Sequence, residues 1–236
     1  LQKITYTTTF NSIIIMKKVI IFGVGNFAKL VHSYLKNSPH DVVGFTVNAR
    51  MLKESNFLNL PVIPFENIVE MFPPQDFSLF IAMGHTNMNK NREKIFNESK
   101  KLGYELLSYV HPTSTIGENV TMGENCLILE NNVIQPFVTL GDNVIIWSNN
   151  VVSHDVVIKD HCFIIHHVVI SGFVTVESNC IIAANSTIRN RVTISKECII
   201  GMGTLIMKNT VEKGVYAVDS SMRLPLTSDR LKDITS

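Results

Sequence analysis

The chain has 236 residues, of which 45% are hydrophobic, and its mean hydropathy is +0.19. These values are those of an ordinary globular protein with one or two domains. The formal net charge of +1 and the scattered basic residues argue against a surface that binds nucleic acid. No stretch approaches the roughly 18 to 20 continuous apolar residues that cross a membrane, which argues against membrane insertion.

The first fifteen residues precede Met16, which has the features of a natural start. Three isoleucines at positions 13–15 come before Lys17 and Lys18, whereas a signal peptide carries its basic residues ahead of a longer apolar core. We therefore leave residues 1–15 outside the predicted fold, as a leader or upstream segment.

Residues 16–109 have the pattern of a small α/β domain. Apolar runs and helical periodicity predict strands over 17–22, 42–46, 77–82 and 105–110, and helices over 27–36 and 89–102. Strands that alternate with helices in this way indicate a parallel sheet of the Rossmann-like type.

The turn after the first predicted strand, Gly23-Val24-Gly25-Asn26, lies where such a sheet binds ligands, at the carboxyl ends of its strands. Ala28 replaces the third glycine of the dinucleotide fingerprint, which is a permitted variant. The second predicted strand ends in Thr46-Val47-Asn48 without an acidic residue, which argues against NAD held through a ribose hydroxyl. The turn alone is compatible with phosphate or nucleotide binding and with simple packing of helix on strand.

An aliphatic residue recurs every six positions from Ile116 to Ile206, with sixteen matches in sixteen positions. A period of six fits neither an α-helix nor a plain strand, and it is typical of a parallel β-helix whose short strands stack in successive coils. The residue four positions after each aliphatic one is small or slim. We predict a β-helix over residues 110–211 and a carboxy-terminal cap and tail over 212–236.

Three hexads in each triangular coil would stack residues 18 positions apart in one column. The four cysteines all fall in one such interior column, so we interpret them as small buried thiols in a reducing compartment, the cytoplasm. They are Cys126, Cys162, Cys180 and Cys198.

The two residues between successive strands are predicted to form the corners of the coil. The backbone at these corners is expected to reach a positive φ, which Asn tolerates best after Gly. Eight of the sixteen second-corner positions are Asn: Asn119, Asn125, Asn131, Asn143, Asn149, Asn179, Asn185 and Asn209.

One coil differs from the others because its corners carry four of the eight histidines of the chain. A lone corner histidine is most simply a solvated side chain, but four at one height favour a chemical role. The unperturbed histidine pKa of about 6.5 suits proton transfer near neutrality. The three corners are His154-Asp155, Asp160-His161 and His166-His167.

Gly172 follows His154 by one coil in the same corner column, so its backbone N–H is expected within about 5 Å of the His154 coil. A base beside an amide donor is the arrangement that acyl transfer requires. Asp155 could orient His154 or hold its tautomer.

Four segments carry a resemblance to a known family: KKVIIFGVGNFAKLV, IAMGHTNMNKNR, VVSHDVVIKDHC and GMGTLIMKNTVEKGVY. Residues 17 to about 216 resemble the sialic acid O-acetyltransferases and bacillosamine-pathway N-acetyltransferases. The resemblance implies an α/β amino-terminal Rossmann-like domain followed by an all-β left-handed parallel β-helix. It also implies an acetyl-CoA-dependent sugar acetyltransferase of surface-glycan biosynthesis that works as a homotrimer and needs no metal.

The resemblance assigns roles to individual residues. His154 matches the base that deprotonates the acceptor amine or hydroxyl, Asp155 matches its acid, and acetyl-CoA would lie between neighbouring β-helices. The N–H of Gly172 matches the donor to the acetyl carbonyl. The implied acetyl-CoA contacts are Gly172, His167, Ala184 and Gly201, and the implied sugar contacts are Gly23, Gly25, Asn26, Gly84 and Asn87.

The chain departs from this family in three places. Phe163 and His166-His167 stand where the family often has a second histidine and a Pro-Gly type corner, which alters the acetyl pocket but leaves His154 as the base. The pair Val47-Asn48 replaces an acidic pair that contacts the nucleotide, which weakens the expectation of a nucleotide-linked substrate. Residues 217–220 replace a closing Gly-Val-Pro-Ala.

Two other functions fit parts of the pattern. A zinc hydratase of the carbonic-anhydrase type would use His161 and His166, although Asn125 occupies the position of the third ligand that zinc needs. A non-catalytic trimeric platform would leave the histidines without a role. In any trimer, Trp147 and Ile165 are predicted to face outward, where a subunit interface would bury them.

Overall fold

The computed structural model describes residues 4–6, 17–223 and 225. It contains a five-stranded α/β domain and a three-sided prism of stacked short strands. The strand β1 (Ile4–Tyr6) belongs to the prism. The amino-terminal domain consists of β2 (Lys18–Phe22), α1 (Asn26–Leu35), β3 (Asp41–Val47), β4 (Asn56–Phe57), β5 (Leu60–Pro64), α2 (Ile68–Met71), β6 (Phe77–Ile81) and α3 (Lys90–Lys101).

The amino-terminal sheet has the order β4-β5-β3-β2-β6, and all of its pairs are parallel except β4 with β5. Val19 and Ile21 of β2 pack towards α1, whereas Ile20 and Phe22 pack towards α3. Both faces of the sheet are therefore covered, which explains the continuous apolar run of β2. The predicted α/β domain is confirmed.

Two features of this domain differ from the prediction. The strand β5 was not predicted, because it contains Pro61 and Pro64 and proline is unusual within sheets. The predicted strand over 105–110 is divided: the Leu107 N–H donates to the Leu79 carbonyl in the sheet, whereas the Tyr109 N–H donates to the Cys126 carbonyl in the prism. The chain crosses from one domain to the other within these residues.

The strands of the prism recur at intervals of about six residues, and most are two residues long. They are β7 (Tyr109–Val110), β8 (Thr115–Ile116), β9 (Val120–Met122), β10 (Leu127–Ile128), β11 (Val133–Ile134), β12 (Thr139–Leu140), β13 (Ile145–Ile146), β14 (Val151–Val152), β15 (Val157–Ile158), β16 (Phe163–Ile164), β17 (Val169–Ile170), β18 (Thr175–Val176), β19 (Ile181–Ile182), β20 (Thr187–Ile188), β21 (Thr193–Ile194), β22 (Ile199–Ile200), β23 (Leu205–Ile206) and β24 (Val215–Tyr216).

These strands stack into three parallel sheets, which are the sides of the prism. Side 1 is β8-β11-β14-β17-β20-β23, side 2 is β9-β12-β15-β18-β21, and side 3 is β7-β10-β13-β16-β19-β22-β24. Neighbours within a side are 18 residues apart for all but the last pair of side 3, as in the pairing of Ile134 with Val152. The predicted three-hexad coil is confirmed.

The interior of the prism is filled as the hexads predict. Every repeat aliphatic residue from Met122 to Ile206 is buried, and so is every small residue four positions later from Val120 to Thr210. The four cysteines are buried and free. The predicted column of buried thiols is therefore confirmed.

The corners repeat with the same regularity. Every sixth residue from Asn119 to Gly203 has a positive φ, whatever its side chain. Asn209 is the exception to the predicted set of eight: its Oδ1 instead accepts a hydrogen bond from the Thr193 N–H at 2.9 Å, where the regular coil ends. We name the corners by their histidines: the His154 corner joins sides 1 and 2, the His161 corner joins sides 2 and 3, and the His166 corner joins sides 3 and 1.

Both ends of the prism carry an additional strand. The strand β1 pairs antiparallel with β9, although it lies in the segment that the sequence leaves outside the fold. The other residues of 1–15 lie outside the described part of the chain, so that boundary stays a prediction. At the opposite end β24 extends side 3. The cap over 212–236 also stays a prediction, since 224 and 226–236 are not described.

Side 3 packs against the amino-terminal domain of the same chain. Phe163 and other side 3 residues share one apolar cluster with α1, and the rings of Phe27 and Trp147 stack at 5.8 Å. Trp147 and Ile165 both belong to this cluster. The prediction that a subunit interface buries them is therefore wrong for this chain, because its own amino-terminal domain covers them.

The described helices include none with the length and apolar character needed to cross a membrane.

Candidate active site

His154 lies on the prism corner between sides 1 and 2. Side 3, which packs against the amino-terminal domain, does not border this corner. The corner is fixed from the preceding coil. The His154 N–H donates to Gln135 Oε1 at 2.9 Å, and the Asp155 N–H donates to the Pro136 carbonyl at 3.3 Å. The His154 side chain is 50% exposed, so a ligand can reach it.

Asp155 holds the imidazole of His154. Its Oδ2 lies 2.8 Å from His154 Nδ1. With Nδ1–H donating to this carboxylate, Nε2 is the unprotonated nitrogen and can accept a proton. The predicted pairing of His154 with Asp155 is present in the structure.

Gly172 lies against the same imidazole, one coil further along the His154 corner. A Cβ at position 172 would lie 2.9 Å from His154 Cε1 and 3.0 Å from His154 Nε2. The Phe173 N–H donates to the His154 carbonyl at 3.2 Å, which fixes the spacing of the two corners. Any side chain at position 172 would therefore displace the imidazole.

Two further residues at this corner were missed in the sequence. The Phe173 ring stands edge-on to the His154 imidazole, with centroids 5.1 Å apart, and the Arg191 guanidinium lies 4.4 Å from the Phe173 centroid. Both residues have a positive φ, of 59° and 60°. The sequence feature that could have identified them is a bulky side chain at the second residue of a corner, a position where Asn is the most frequent residue.

The other histidines of the coil do not join His154, because the three corners point in different directions. His161 is buried: its Nδ1 lies 2.9 Å from Asn143 Nδ2 and its Nε2 lies 3.8 Å from a Glu93 carboxylate oxygen. Burial lowers the pKa of His161. His166 stands against Trp147 with ring centroids 5.0 Å apart.

These positions bear on the zinc hypothesis. Both ring nitrogens of His161 face residues of its own chain, and the side chain is only 11% exposed, so it is poorly placed to share a metal with a neighbouring copy. In the described part of the chain, no group of three or more His, Cys, Asp and Glu residues could hold a metal ion.

The remaining predicted acetyl-CoA contacts lie away from His154 within one chain. His167 and Ala184 belong to the His166 corner, and Gly201 follows β22 of side 3. The Gly201 N–H donates to the Tyr216 carbonyl at 2.7 Å. A Cβ at position 201 would lie 2.7 Å from the same carbonyl oxygen, so this glycine is needed for the pairing of β24.

The predicted sugar contacts come together at one edge of the amino-terminal sheet. Gly23, Gly25 and Asn26 follow β2, and Gly84 and Asn87 follow its parallel neighbour β6. Gly23 has a φ of 122°, and a Cβ there would lie 3.0 Å from the Ala82 carbonyl oxygen. The space around Gly25 and Gly84 is open.

This edge of the sheet also lies over side 3 of the prism. The His85 ring, in the turn after β6, is 5.0 Å from the Phe163 ring of β16. Because side 3 does not border the His154 corner, one chain holds the predicted sugar contacts and the predicted base on different faces of the prism.

Glu66 is another residue that sequence reasoning missed. It comes from the 3-10 turn after β5, and its Oε2 accepts a hydrogen bond from the Ala49 N–H at 2.8 Å. Hydrogen bonds from its own N–H and from that of Ala49 lower the pKa of Glu66. With Asn48 and Arg50 it lines an open cleft of about 560 Å³. A carboxylate therefore lies near the end of β3, although Val47-Asn48 supplies none.

Comparison with known protein families gives two matches. The PglD N-terminal domain family matches residues 18–99, and the bacterial transferase hexapeptide family (six repeats) matches residues 119–154 and 155–190. No curated protein matches the chain.

Solved structures match over most of the chain. A histidine-to-asparagine variant of perosamine N-acetyltransferase from Caulobacter crescentus, in complex with CoA and GDP-perosamine, is 24% identical, covering 84% of this chain and 92% of that chain with a TM-score of 0.76. PerB from Caulobacter crescentus, in complex with CoA and GDP-perosamine, is 25% identical, covering 85% of this chain and 92% of that chain with a TM-score of 0.73. The acetyltransferase domain of PglB from Neisseria gonorrhoeae, in complex with acetyl coenzyme A, is 21% identical, covering 82% of this chain and 92% of that chain with a TM-score of 0.73. The prism is therefore a left-handed β-helix.

Proposed function

We propose that this chain, whose two domains match the PglD N-terminal domain family and the bacterial transferase hexapeptide family, is an acyltransferase that acetylates a sugar. The donor is acetyl-CoA, and the acceptor is an amino or hydroxyl group of a sugar or nucleotide-linked sugar used in surface-glycan biosynthesis. The observation that carries this proposal is the His154 imidazole, held by Asp155 with Nε2 beside the bare backbone of Gly172.

His154 acts as the general base of this reaction. Its Nε2 takes the proton of the acceptor amine or hydroxyl while that group attacks the thioester carbonyl, and Asp155 stabilises the resulting imidazolium. The Gly172 N–H donates to the carbonyl oxygen as it becomes an oxyanion. The C–S bond then breaks, and the imidazolium returns its proton to the departing CoA thiolate. A positioned base supplies roughly 10² to 10⁴ in rate, and an oxyanion donor about 10² to 10³.

A homotrimer completes the site. The amino-terminal domain covers side 3, which leaves sides 1 and 2 for other copies. Side 1 has an apolar outer face, in which Val133 and Val169 are 38% and 37% exposed, and Phe137 beside it is 55% exposed. Apolar residues grouped in this way favour an interface. A neighbouring copy docked here brings its His166 corner and its sugar-binding edge towards His154.

In this arrangement acetyl-CoA lies between two prisms. Gly172 comes from the His154 corner of one copy, and His167 and Ala184 come from the His166 corner of the next. Gly201 of that next copy lies on the same side of the acetyl-CoA as His167 and Ala184, although its N–H already donates to the Tyr216 carbonyl. These two groups of predicted contacts are separate within one chain and adjacent only between copies.

The acceptor binds at the carboxyl edge of the amino-terminal sheet, through Gly23, Gly25, Asn26, Gly84 and Asn87. The helix α1 begins at Asn26, and its N-cap residue Gly25 has no side chain to cap it, so its first N–H groups are available to a phosphate. This feature supports a nucleotide-linked sugar, such as the GDP-perosamine bound by the Caulobacter crescentus relatives. The buried free thiols fit a cytoplasmic enzyme.

The proposal is tested by incubating the purified protein with acetyl-CoA and a panel of acceptors. The panel contains GDP-perosamine, UDP-linked amino sugars and free amino sugars. We expect CoA release that depends on one acceptor, and a product whose mass increases by one acetyl group. Binding of acetyl-CoA with no acceptor-dependent release across the panel would favour the non-catalytic platform. Light scattering should give three times the chain mass of 26.5 kDa.

A further inference from the structure

Arg92 is a fully buried charge at the joint between the two domains. It stands in the first turn of α3, and none of its surface is exposed. Its guanidinium reaches both domains. Nε donates to Asn143 Oδ1 at 3.0 Å, Nη1 donates to the carbonyls of Gly84 (3.1 Å) and Met83 (3.5 Å) and to Asn89 Oδ1 (3.1 Å), and Nη2 donates to the carbonyls of Asn143 (3.2 Å), His161 (3.1 Å) and Cys162 (3.3 Å).

All of these acceptors are neutral oxygens, and none is a carboxylate. Burial lowers the pKa of Arg92 to about 9, so the side chain is still mostly charged near neutral pH. A buried charge whose hydrogen-bond partners are all neutral is a weak way to stabilise a protein, since an apolar side chain of similar size avoids the cost of desolvation. The presence of Arg92 therefore needs another explanation.

The turn held by Arg92 has an unfavourable backbone. Asn87, Met88 and Asn89 are consecutive non-glycine residues with positive φ values of 53°, 51° and 63°. Such conformations persist only where their surroundings enforce them, and they cluster at ligand-binding sites. Asn89 is buried, its Oδ1 accepts from Arg92, and its Nδ2 donates to the Cys180 carbonyl at 3.3 Å. Arg92 and Asn89 together tie the turn to the prism.

The opposite face of this turn is open. Residues 85–87 are exposed, and Gly84 has free space around its Cα. Phe163 lies beneath the turn, with its ring 5.0 Å from His85 and 5.5 Å from the Arg92 guanidinium. Arg92 thus supports the turn from below, and the surface left for a ligand lies on the other side.

We propose that Arg92 is a positioning residue for the acceptor. It ties the turn over 83–89 to the prism, so that the exposed residues 84–87 keep the shape that receives a sugar or nucleotide-linked sugar. The identity of that ligand rests on the proposed function, whereas the hold of Arg92 on the turn does not.

Hydrogen exchange of the intact protein, followed by mass spectrometry, tests that hold without any ligand. In Arg92→Gln we expect exchange over 84–89 to rise about tenfold or more, with no change in peptides from side 2 of the prism. Arg92→Lys retains the charge but lacks the planar fork, and it should give a smaller rise. Lys94→Gln, an exposed residue two positions along α3, is the matched control and should leave exchange unchanged.

Unchanged exchange in the turn would overturn the proposal. A rise of equal size on side 2 would also overturn it, because that would show a general loss of stability. If Arg92→Gln does not fold, the exchange of Arg92→Lys decides between these outcomes.

Kinetics give the second readout, with GDP-perosamine as the first acceptor tried. Arg92→Lys should raise the acceptor KM about tenfold and keep the acetyl-CoA KM within about twofold, whereas equal changes in both would contradict positioning. Absence of turnover in the unsubstituted protein contradicts the proposed function instead, and the exchange result still decides the role of Arg92.

Discussion

His154 Nδ1 lies 2.8 Å from Oδ2 of Asp155, the next residue in the chain. The base and the group that orients it therefore share one corner, and both take their position from the coil before. Gly172 in the coil after leaves the opposite edge of the imidazole uncovered. Three successive coils of one corner thus build the predicted catalytic group, and each can be tested separately.

Asp155→Asn should lower kcat while preserving the corner. Asn tolerates the φ of 57° at this position, but its amide does not select the tautomer that leaves Nε2 unprotonated. We expect a loss of about 10- to 100-fold in kcat, with an acetyl-CoA KM within about twofold of the original. Steady-state kinetics measure both values, and an unchanged kcat would show that Asp155 does not act on His154.

Gly172→Ala should displace the imidazole, because the added Cβ would lie 2.9 Å from His154 Cε1. We expect kcat to fall by about tenfold or more, with little change in Tm, since the close contacts are with the ring of His154, whose side chain is half-exposed and can move. Asn190→Ala is the matched control, one coil further along the same corner and away from His154. Equal activity in the two variants would contradict the role of the bare backbone at position 172.

His161→Asn should alter the dependence of stability on pH but leave acetyl transfer intact. Burial lowers the pKa of His161, whereas the carboxylates of Glu93, Asp160 and Asp142 oppose this effect and Arg92 adds to it. The unfolded chain therefore takes up a proton first, and the stability that neutral His161 contributes is lost as pH falls below about 6.5. Asn fits the position, since Asn143 has the same conformation one coil before.

Thermal unfolding between about pH 5.5 and 7.5 measures this effect, because the range spans the ordinary histidine pKa. The Tm of His161→Asn should fall less steeply with acidification than that of the unsubstituted protein. Parallel curves would show that His161 is not protonated on unfolding in this range. A large loss of kcat in the same variant would argue against His154 as the sole base.

The four cysteine thiols should not react with a disulfide reagent in the native protein. Burial raises the pKa of Cys126 to about 12, and it also raises the pKa of Cys162. Because all four thiols are buried, the reagent has no access to them and labelling near pH 8 should be negligible, whereas unfolding in guanidinium should expose all four thiols. Rapid labelling of any thiol in the folded protein would show that the interior column is open. Silent thiols would also allow CoA release to be followed with the same reagent.

The sequence was most informative where the geometry repeats. A period of six with large and small inward residues leaves little alternative to a stacked coil, and the positive φ of each second corner follows from the coil and not from the residue. This is why Phe173 and Arg191 adopt the same backbone as the Asn corners. The column spacing of 18 residues also predicts the position of Gly172 beside His154, because the two residues are 18 apart in the chain.

The sequence was least informative about which side of the prism meets the amino-terminal domain. Residue spacing gives the height and the corner of a histidine, but it does not show that side 3 is covered, so it could not separate buried His161 from exposed His154. Arg92 lies in a helix of mostly polar residues, where the sequence pattern predicts that a charged side chain is exposed to solvent. Its burial depends on carbonyls of the prism that are distant in sequence.

The most direct test of the account is the kcat of His154→Ala, measured with acetyl-CoA and the acceptor identified by the panel. Light scattering and calorimetry would confirm that the variant keeps its oligomeric state and its affinity for acetyl-CoA. We predict that kcat falls by roughly 10² to 10⁴, the range that a positioned general base supplies. Retention of more than about a tenth of the original kcat would contradict the role of His154 as the base.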